Sequence, residues 1–362
     1  MAYTTIDKSD DYFNTVIWTG DDTSPRTITG VNFKPDFTWT KRRDSGDGNT
    51  NHNLYNLIAG AGNNTELVSN GGFAEGGSLC NLYGYLSAFT SDGFTLTDGT
   101  DGSYADLYTN QSGGTYVSWN WLASNTTASN TDGSITSTVS ANTTSGFSIV
   151  KWTGTGANGT IGHGLGVAPK MIIVKANAVK DWMVGHNSMG WTKYINLNTT
   201  SGESTASTVW QDTAPTSSVF SVGSSSDVNT SSTSMIAYCF AEKKGFSKFG
   251  SYTGNGSADG TFVYTGFKPA MVIVKNTNSV TDWIIKDNKR STYNVVGEVL
   301  YPNGSYAEDA SGALLDFTSN GFKLRISGAS APNVNESGST FIYMAFAENP
   351  LVGTNNIPAT AR

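Results

Sequence analysis

One stretch of this chain is written three times. Phe246 to Lys275 reads FSKFGSYTGNGSADGTFVYTGFKPAMVIVK, and Phe147 to Lys175 reads FSIVKWTGTGANGTIGHGLGVAPKMIIVK. A more divergent version, YFNTVIWTGDDTSPRTITGVNFKPDFTWTK, lies at Tyr12 to Lys41. Pro35, Pro169 and Pro269 align, and each is followed six residues later by a lysine: Lys41, Lys175 and Lys275. The separations are 169 − 35 = 134 and 269 − 169 = 100 residues. Such a period is too long for a solenoid repeat and suits a whole small domain.

Further landmarks recur in the same order. Asp181-Trp182-Met183-Val184 in the second copy answers Asp282-Trp283-Ile284-Ile285 in the third; the first has only Asn51-His52-Asn53-Leu54 near that place. Then come Phe94, Phe220 and Phe322, each inside a short apolar run. Each copy closes on one more strand, at 115–121, 234–242 and 340–348.

Within each copy the apolar residues alternate as in strands. Met171, Ile173 and Lys175 point one way, and Ile172, Val174 and Ala176 the other. Both faces are apolar until the lysine, so this strand should be central and covered on both sides. No segment sustains helical spacing. The expected fold is all-β: three tandem antiparallel β-sandwich domains. The expected boundaries are 1–123 for copy one, with an N-terminal arm and a Gly/Asn-rich loop insertion from Asp44 to Tyr85, and 124–145 for a linker or strap. Copy two follows at 146–244, copy three at 245–349, and an extended tail at 350–362. End to end, such domains make a rod, in which the long linker would let copy one hinge.

Only 14% of residues are charged while aromatics reach 12%, a composition of short strands and turns and not of a disordered chain. The net charge of −7 argues against nucleic-acid binding and against docking on anionic membranes. No apolar run could span a bilayer, and the first residues lack a signal peptide, so synthesis in a cytoplasm without export is expected. Cys80 and Cys239 read as buried free thiols.

The combination Y/W-T-G, a Gly-rich turn, G-F-x-P-x-x-V-x-V-K, D-W, and a final F-I-Y-M-A-F-A-E strand resembles a repeated domain of tailed-bacteriophage virion proteins. That domain looks like the concanavalin A-like lectin/glucanase jelly roll. The motif stands here as Tyr252-Thr253-Gly254, Gly266-Phe267-Lys268-Pro269 and Phe341 to Glu348, with its parallel in copy two. Copy one departs from it, with Asp36-Phe37-Thr38-Trp39 in place of the aliphatic strand. The resemblance implies a non-enzymatic structural part of a virion: a tail or tail-fibre protein, or alternatively a capsid decoration or head-fibre protein. It also implies partners among other virion proteins, a homo-oligomer (trimer or higher), and recognition of a bacterial surface glycan.

Catalytic residues are not expected. A glucanase needs carboxylates facing each other across a cleft, and no strand offers alternating acids. His52, His163 and His186 show no metal-ligand spacing. The loop Asp98 to Asp106 alternates oxygens in a way that suits calcium, but Asp-Gly turns are common without metal. No metal or cofactor is assigned. Arg42, Arg43 and Asp44 read as a solvated charged loop. Trp182, Trp283 and the three recurring phenylalanines should hold the sandwiches together. The unmatched aromatics Trp191, Tyr194, Trp210, Tyr301, Tyr306, Tyr104 and Tyr108 are the ones that could stack on a sugar. The ligand-binding residues themselves stay unknown at this stage.

Overall fold

The computed structural model describes residues 4–44, 50–310, 314–328 and 333–352. The last ten residues of the expected tail, and 45–49 of the expected loop insertion, lie outside the described residues. The protein is all-β, built of several antiparallel sheets. Among the described residues no helix exceeds one turn.

Each copy forms a lobe around four strands of one large sheet. In lobe 1 these are β1 (Phe13–Thr19), β2 (Phe37–Arg42), β3 (Asn53–Asn56) and β4 (Thr115–Trp121). Lobe 2 has β5 (Phe147–Thr153), β6 (Met171–Ala176), β7 (Met183–His186) and β8 (Ser234–Phe240). Lobe 3 has β9 (Ser247–Thr253), β10 (Phe267–Asn276), β11 (Ile284–Asp287) and β12 (Thr340–Pro350). The order across the sheet is the same each time: first, fourth, second, third. Registers match too, since Phe37, Met171 and Met271 sit opposite Trp121, Phe240 and Phe346. A smaller sheet carrying Phe94, Phe220 or Phe322 packs on one face of each large sheet and closes a core private to that lobe.

The other faces of the three large sheets meet in one shared core. Trp121, Phe240 and Phe346, at equivalent positions on β4, β8 and β12, form a closed triangle of rings. Their centroids are 6.4, 6.1 and 5.7 Å apart and every pair is edge-to-face. Each such pair is worth about 0.5–1.5 kcal/mol beyond the area it buries. Two further sets of equivalents line the same core: Trp119, Tyr238 and Met344, then Val117, Ile236 and Ile342. The lobes therefore stand around a pseudo-threefold axis and do not form a rod. This also explains the central strands. On β6, Ile172 and Val174 belong to the private core while Met171 and Ile173 belong to the shared one. Apolar alternation on both faces shows that a strand is covered twice; it does not show by what.

Three segments expected outside the sandwiches are part of this arrangement. Residues 124–145 contribute strands Ala128–Asn130 and Ser137–Asn142 to the free edge of β5, and Val139 caps the private core of lobe 2. The Asp44–Tyr85 segment is not a surface loop, because it supplies β3, the counterpart of β7 and β11. In the N-terminal arm, Ile6 enters the shared core, and the Thr4 hydroxyl donates to the Lys244 carbonyl at 2.6 Å. Thr4 rests on Gly245, whose φ of +79° suits glycine and where a Cβ would meet the threonine side chain at 2.8 Å. Lobe 1 thus does not hang from a hinge.

Candidate functional site at the lobe junctions

The three junctions are built from equivalent positions filled by different residues. The third-strand ends Asn56, His186 and Asp287 all reach the last strand of a neighbouring lobe. Asn56 Nδ2 donates to the Tyr238 hydroxyl at 3.2 Å. His186 Nε2 lies 3.2 Å from the Tyr343 carbonyl. Asp287 Oδ2 accepts from Trp119 Nε1 at 3.0 Å. Four residues upstream stand His52, Trp182 and Trp283. Trp182 Nε1 donates to the Val68 carbonyl at 2.7 Å and Trp283 Nε1 to the Asn196 carbonyl at 2.8 Å. His52 faces the equivalent backbone at Tyr301, although no hydrogen bond of ordinary length joins Nε2 to it. Its Nδ1 accepts from Trp39 Nε1 at 2.9 Å. The two tryptophans therefore hold lobe to lobe, not sheet to sheet within a lobe.

Farther from the axis, a glutamate of one lobe meets the residue two places past the repeat lysine of the next. Glu75 meets Asn177, the Glu203 amide donates to the Thr277 carbonyl, and Glu308 pairs with Arg43. The lobe 3–lobe 1 junction is the one with a buried charge network, whereas the lobe 2–lobe 3 pair of Glu242 and Lys248 is half-exposed. Arg290, fully buried, reaches Asp287 at 2.5 Å and Glu308 at 2.9 Å, and its guanidinium lies 5.5 Å from the Trp119 ring centroid. Arg43 completes the chain of alternating charge at 2.7 Å from Glu308. Buried ions need such complete pairing to offset their lost hydration. Arg42 is also buried; it bonds to Asp44 and Gln111, so this cluster is no solvated loop.

The repeat lysines close the shared core at one end. Lys175 Nζ donates to the Ala176 and Ala178 carbonyls, both at 2.6 Å. Lys275 Nζ bonds to the Asn276 carbonyl at 2.9 Å and to the Thr200 carbonyl of lobe 2 at 3.2 Å. Lys41 Nζ bonds to the Arg42 carbonyl and the Thr50 hydroxyl. None of the three has a carboxylate within ion-pair distance among the described residues. Burial pushes Lys41 down to about 7, and Lys175 and Lys275 down to about 8, because carbonyl dipoles do not replace bulk water around a cation.

The remaining candidates fall in separate places. His163 sits at the edge of lobe 2, and burial lowers its pKa. His186 is pushed down to about 4, also by burial. Trp191 and Trp210 are not displayed. Their rings pack edge-to-face at 5.8 Å over Gly185, where a Cβ would meet Trp191 at 2.4 Å; Tyr55 and Lys286 take that position in the other lobes. Tyr104 and Tyr306 are the exposed ones, 41% and 55% accessible, and they lie in lobes 1 and 3. In the Asp98–Asp106 loop, Asp101 accepts from the amides of Ser103 and Tyr104, the bonding of a turn. Asp106 rises to about 6, from burial first and then from its hydrogen bond with Asp22. Among the described residues no group of three or more His, Cys, Asp or Glu side chains is placed to hold a metal ion. Both cysteines are buried and free.

An open cleft marks the lobe 3–lobe 1 junction. It is lined by Asp10, Phe13, Asn14 and Thr15 on one side and by Ala270, Asn288, Lys289, Ala347, Glu348 and Asn349 on the other. Nothing in the sequence pointed to it, because its two walls are about 250 residues apart in the chain.

The fold and its junctions define a three-lobed, internally repeated all-β protein with one core on a pseudo-threefold axis. The chain matches, over residues 8–350, a family described as a domain of unknown function (DUF7483), and it belongs to that family. The match runs unbroken across all three lobes, as a unit with a shared core should. No curated protein matches the chain. Among the described residues no helix is long and apolar enough to cross a membrane.

Proposed function

We propose that this protein is a non-enzymatic structural component of a tailed-bacteriophage particle, most simply a tail or tail-fibre protein that also attaches to the host surface. In this reading each lobe is a concanavalin A-like jelly roll, reduced to a large and a small sheet. The observation that carries the structural role is the ring triangle of Trp121, Phe240 and Phe346. It makes three repeats into one rigid body with threefold character, a shape suited to seating on a threefold or sixfold part of a particle. The sequence resemblance supplies the particle. Buried polar groups support the same role: Asn56, His186, Asp287 and the two tryptophans spend bonds joining lobes.

Imaging of purified particles with this chain fitted into the map is the test. Density for the chain on the tail, coaxial with a threefold or sixfold element, is expected. Absence of the chain from particles overturns the reading, and density spread over the capsid lattice moves it to the decoration alternative. Light scattering of the purified chain tests the proposed homo-oligomer, since a monomer at working concentration leaves the chain's own three lobes as its only symmetry.

A further inference from the structure

The pseudo-symmetry supplies an internal control for the cleft between lobes 3 and 1. On the first strand of each lobe, the second residue facing the shared core is Thr15, Ile149 or Phe249. Ile149 and Phe249 are buried in the shared core, and the Phe249 ring lies 6.0 Å from Phe240 of the neighbouring lobe. Thr15 fills much less space. Opposite it the chain has Ala270, where lobes 1 and 2 have Asp36 and Lys170. The result is a cleft of about 240 Å³. That is just below the roughly 300 Å³ at which drug-sized pockets begin, so it suits a small ligand such as one ring.

The lining has bonds left to make. Thr15 and Asn288 are each only 3% exposed, yet Thr15 Oγ1 and Asn288 Oδ1 have no hydrogen-bond partner among the described residues. Asn288 is fixed by its other groups: its amide nitrogen donates to the Ala270 carbonyl at 2.8 Å and Nδ2 to Glu348 at 2.8 Å. The orphaned Oδ1 is therefore held in place. A buried polar atom without a partner is destabilising, so a ligand that completes both bonds recovers that loss.

We propose that this cleft binds a neutral polyhydroxylated ligand, a saccharide. The ligand must donate to Asn288 Oδ1 and accept from the Thr15 hydroxyl, and a sugar hydroxyl does both. Asp10 and Glu348 offer further acceptors, and Lys289, which has no ion pair among the described residues, offers a donor. Asp10 and Glu348 each have a lysine partner beyond the lining, Lys8 at 3.8 Å and Lys268 at 3.6 Å, so their charges are largely met and the cleft suits a neutral ligand. Phe13, Ala270 and Ala347 give the apolar contact that a sugar's C–H face needs. The inference deepens the attachment half of the function proposed above and rests on it. Its test is read on the purified chain, whereas position in the particle is read by imaging, so either can fail alone.

Isotope-labelled full-length protein titrated with a panel of neutral mono- and disaccharides should show saturable amide shifts centred on 13–15, 270, 288 and 347–349. Thr15→Phe copies the filling seen at Phe249, and should keep or raise the melting temperature while weakening binding about tenfold or more. Asn288→Leu, which copies Leu57 of lobe 1, removes the acceptor without adding bulk over the cleft and should weaken binding similarly. It keeps the test alive if the first variant does not fold. No shifts at the cleft with any sugar of the panel, or binding that survives both substitutions, overturns the proposal. A high-resolution structure from sugar-soaked crystals with only water on Thr15 and Asn288 does the same.

Discussion

The lobe 1–lobe 2 junction and the lobe 3–lobe 1 junction occupy equivalent places and are made of different chemistry. Near the axis the first relies on neutral groups, Asn56 on the Tyr238 hydroxyl and Trp182 on the Val68 carbonyl, and farther out it has a single carboxylate, Glu75 on Asn177. The second threads Asp287, Arg290, Glu308 and Arg43 through the same positions and leaves a cleft beside them. The frame is held by strand order and by the layered core, which all three lobes share. The polar groups at its margins need only be satisfied, by whichever partners drift supplies. The charged version carries more risk, because loss of one member strands an ion in a dry place.

The predictions test that contrast. Trp121→Ala, on the axis where all junctions meet, should cost about 3–5 kcal/mol. Denaturant unfolding should stay one transition that moves as a whole; separate transitions, with only one shifted, would mean that the lobes fold independently. Arg290→Ala should cost about 3–5 kcal/mol by leaving Asp287 buried and unpaired. Asn56→Ala, its neutral counterpart, should cost only about 1–3 kcal/mol, mainly from the hydrogen bond it removes and any partner left unpaired. Equal losses for the two substitutions would erase the distinction between the junctions.

The lysine layer belongs to every junction and gives a pH dependence. The fold favours the neutral form of Lys41, Lys175 and Lys275, whose values fall to about 7, 8 and 8, while the unfolded chain keeps the ordinary lysine value. Between these values the unfolded state binds more protons, so stability should rise with pH from about 7 to beyond 9. Above about 10 the trend should reverse. Burial holds Tyr238 and Tyr252 protonated in the fold, whereas the unfolded chain ionises them. Unfolding midpoints measured across that range check the sign, and Lys175→Met should flatten the slope.

Much of this was legible in the chain. The triplication, the strands, the central place of Met171–Lys175 and the buried cysteines could all be read from pattern and spacing. Closure of the lobes into one body could not, because a face covered by a distant repeat has the same alternation as one covered by its own partner sheet. Lobe 1 was the least legible. Its third strand and the residue before it read His52-Asn53-Leu54-Tyr55-Asn56, with imidazole where the others carry indole and an amide where they carry His186 and Asp287, so it looked like part of a polar loop. Those polar side chains are buried because each finds a bond: His52 with Trp39 and Asn53 with Ser78 inside lobe 1, and Asn56 with Tyr238 across the junction. Trp191 and Trp210 misled in the opposite sense: unmatched in the repeat, they fill the space above Gly185.

Phe346 lies near the end of the described chain, yet it completes the aromatic triangle with rings from the two earlier lobes. During synthesis the first two repeats must therefore leave the ribosome with an apolar flank still bare, and they carry it until the final strand arrives. A message truncated before Thr340 would release a polypeptide with two finished private interiors and one unsealed sticky side, a form that quality control can tell from the complete product.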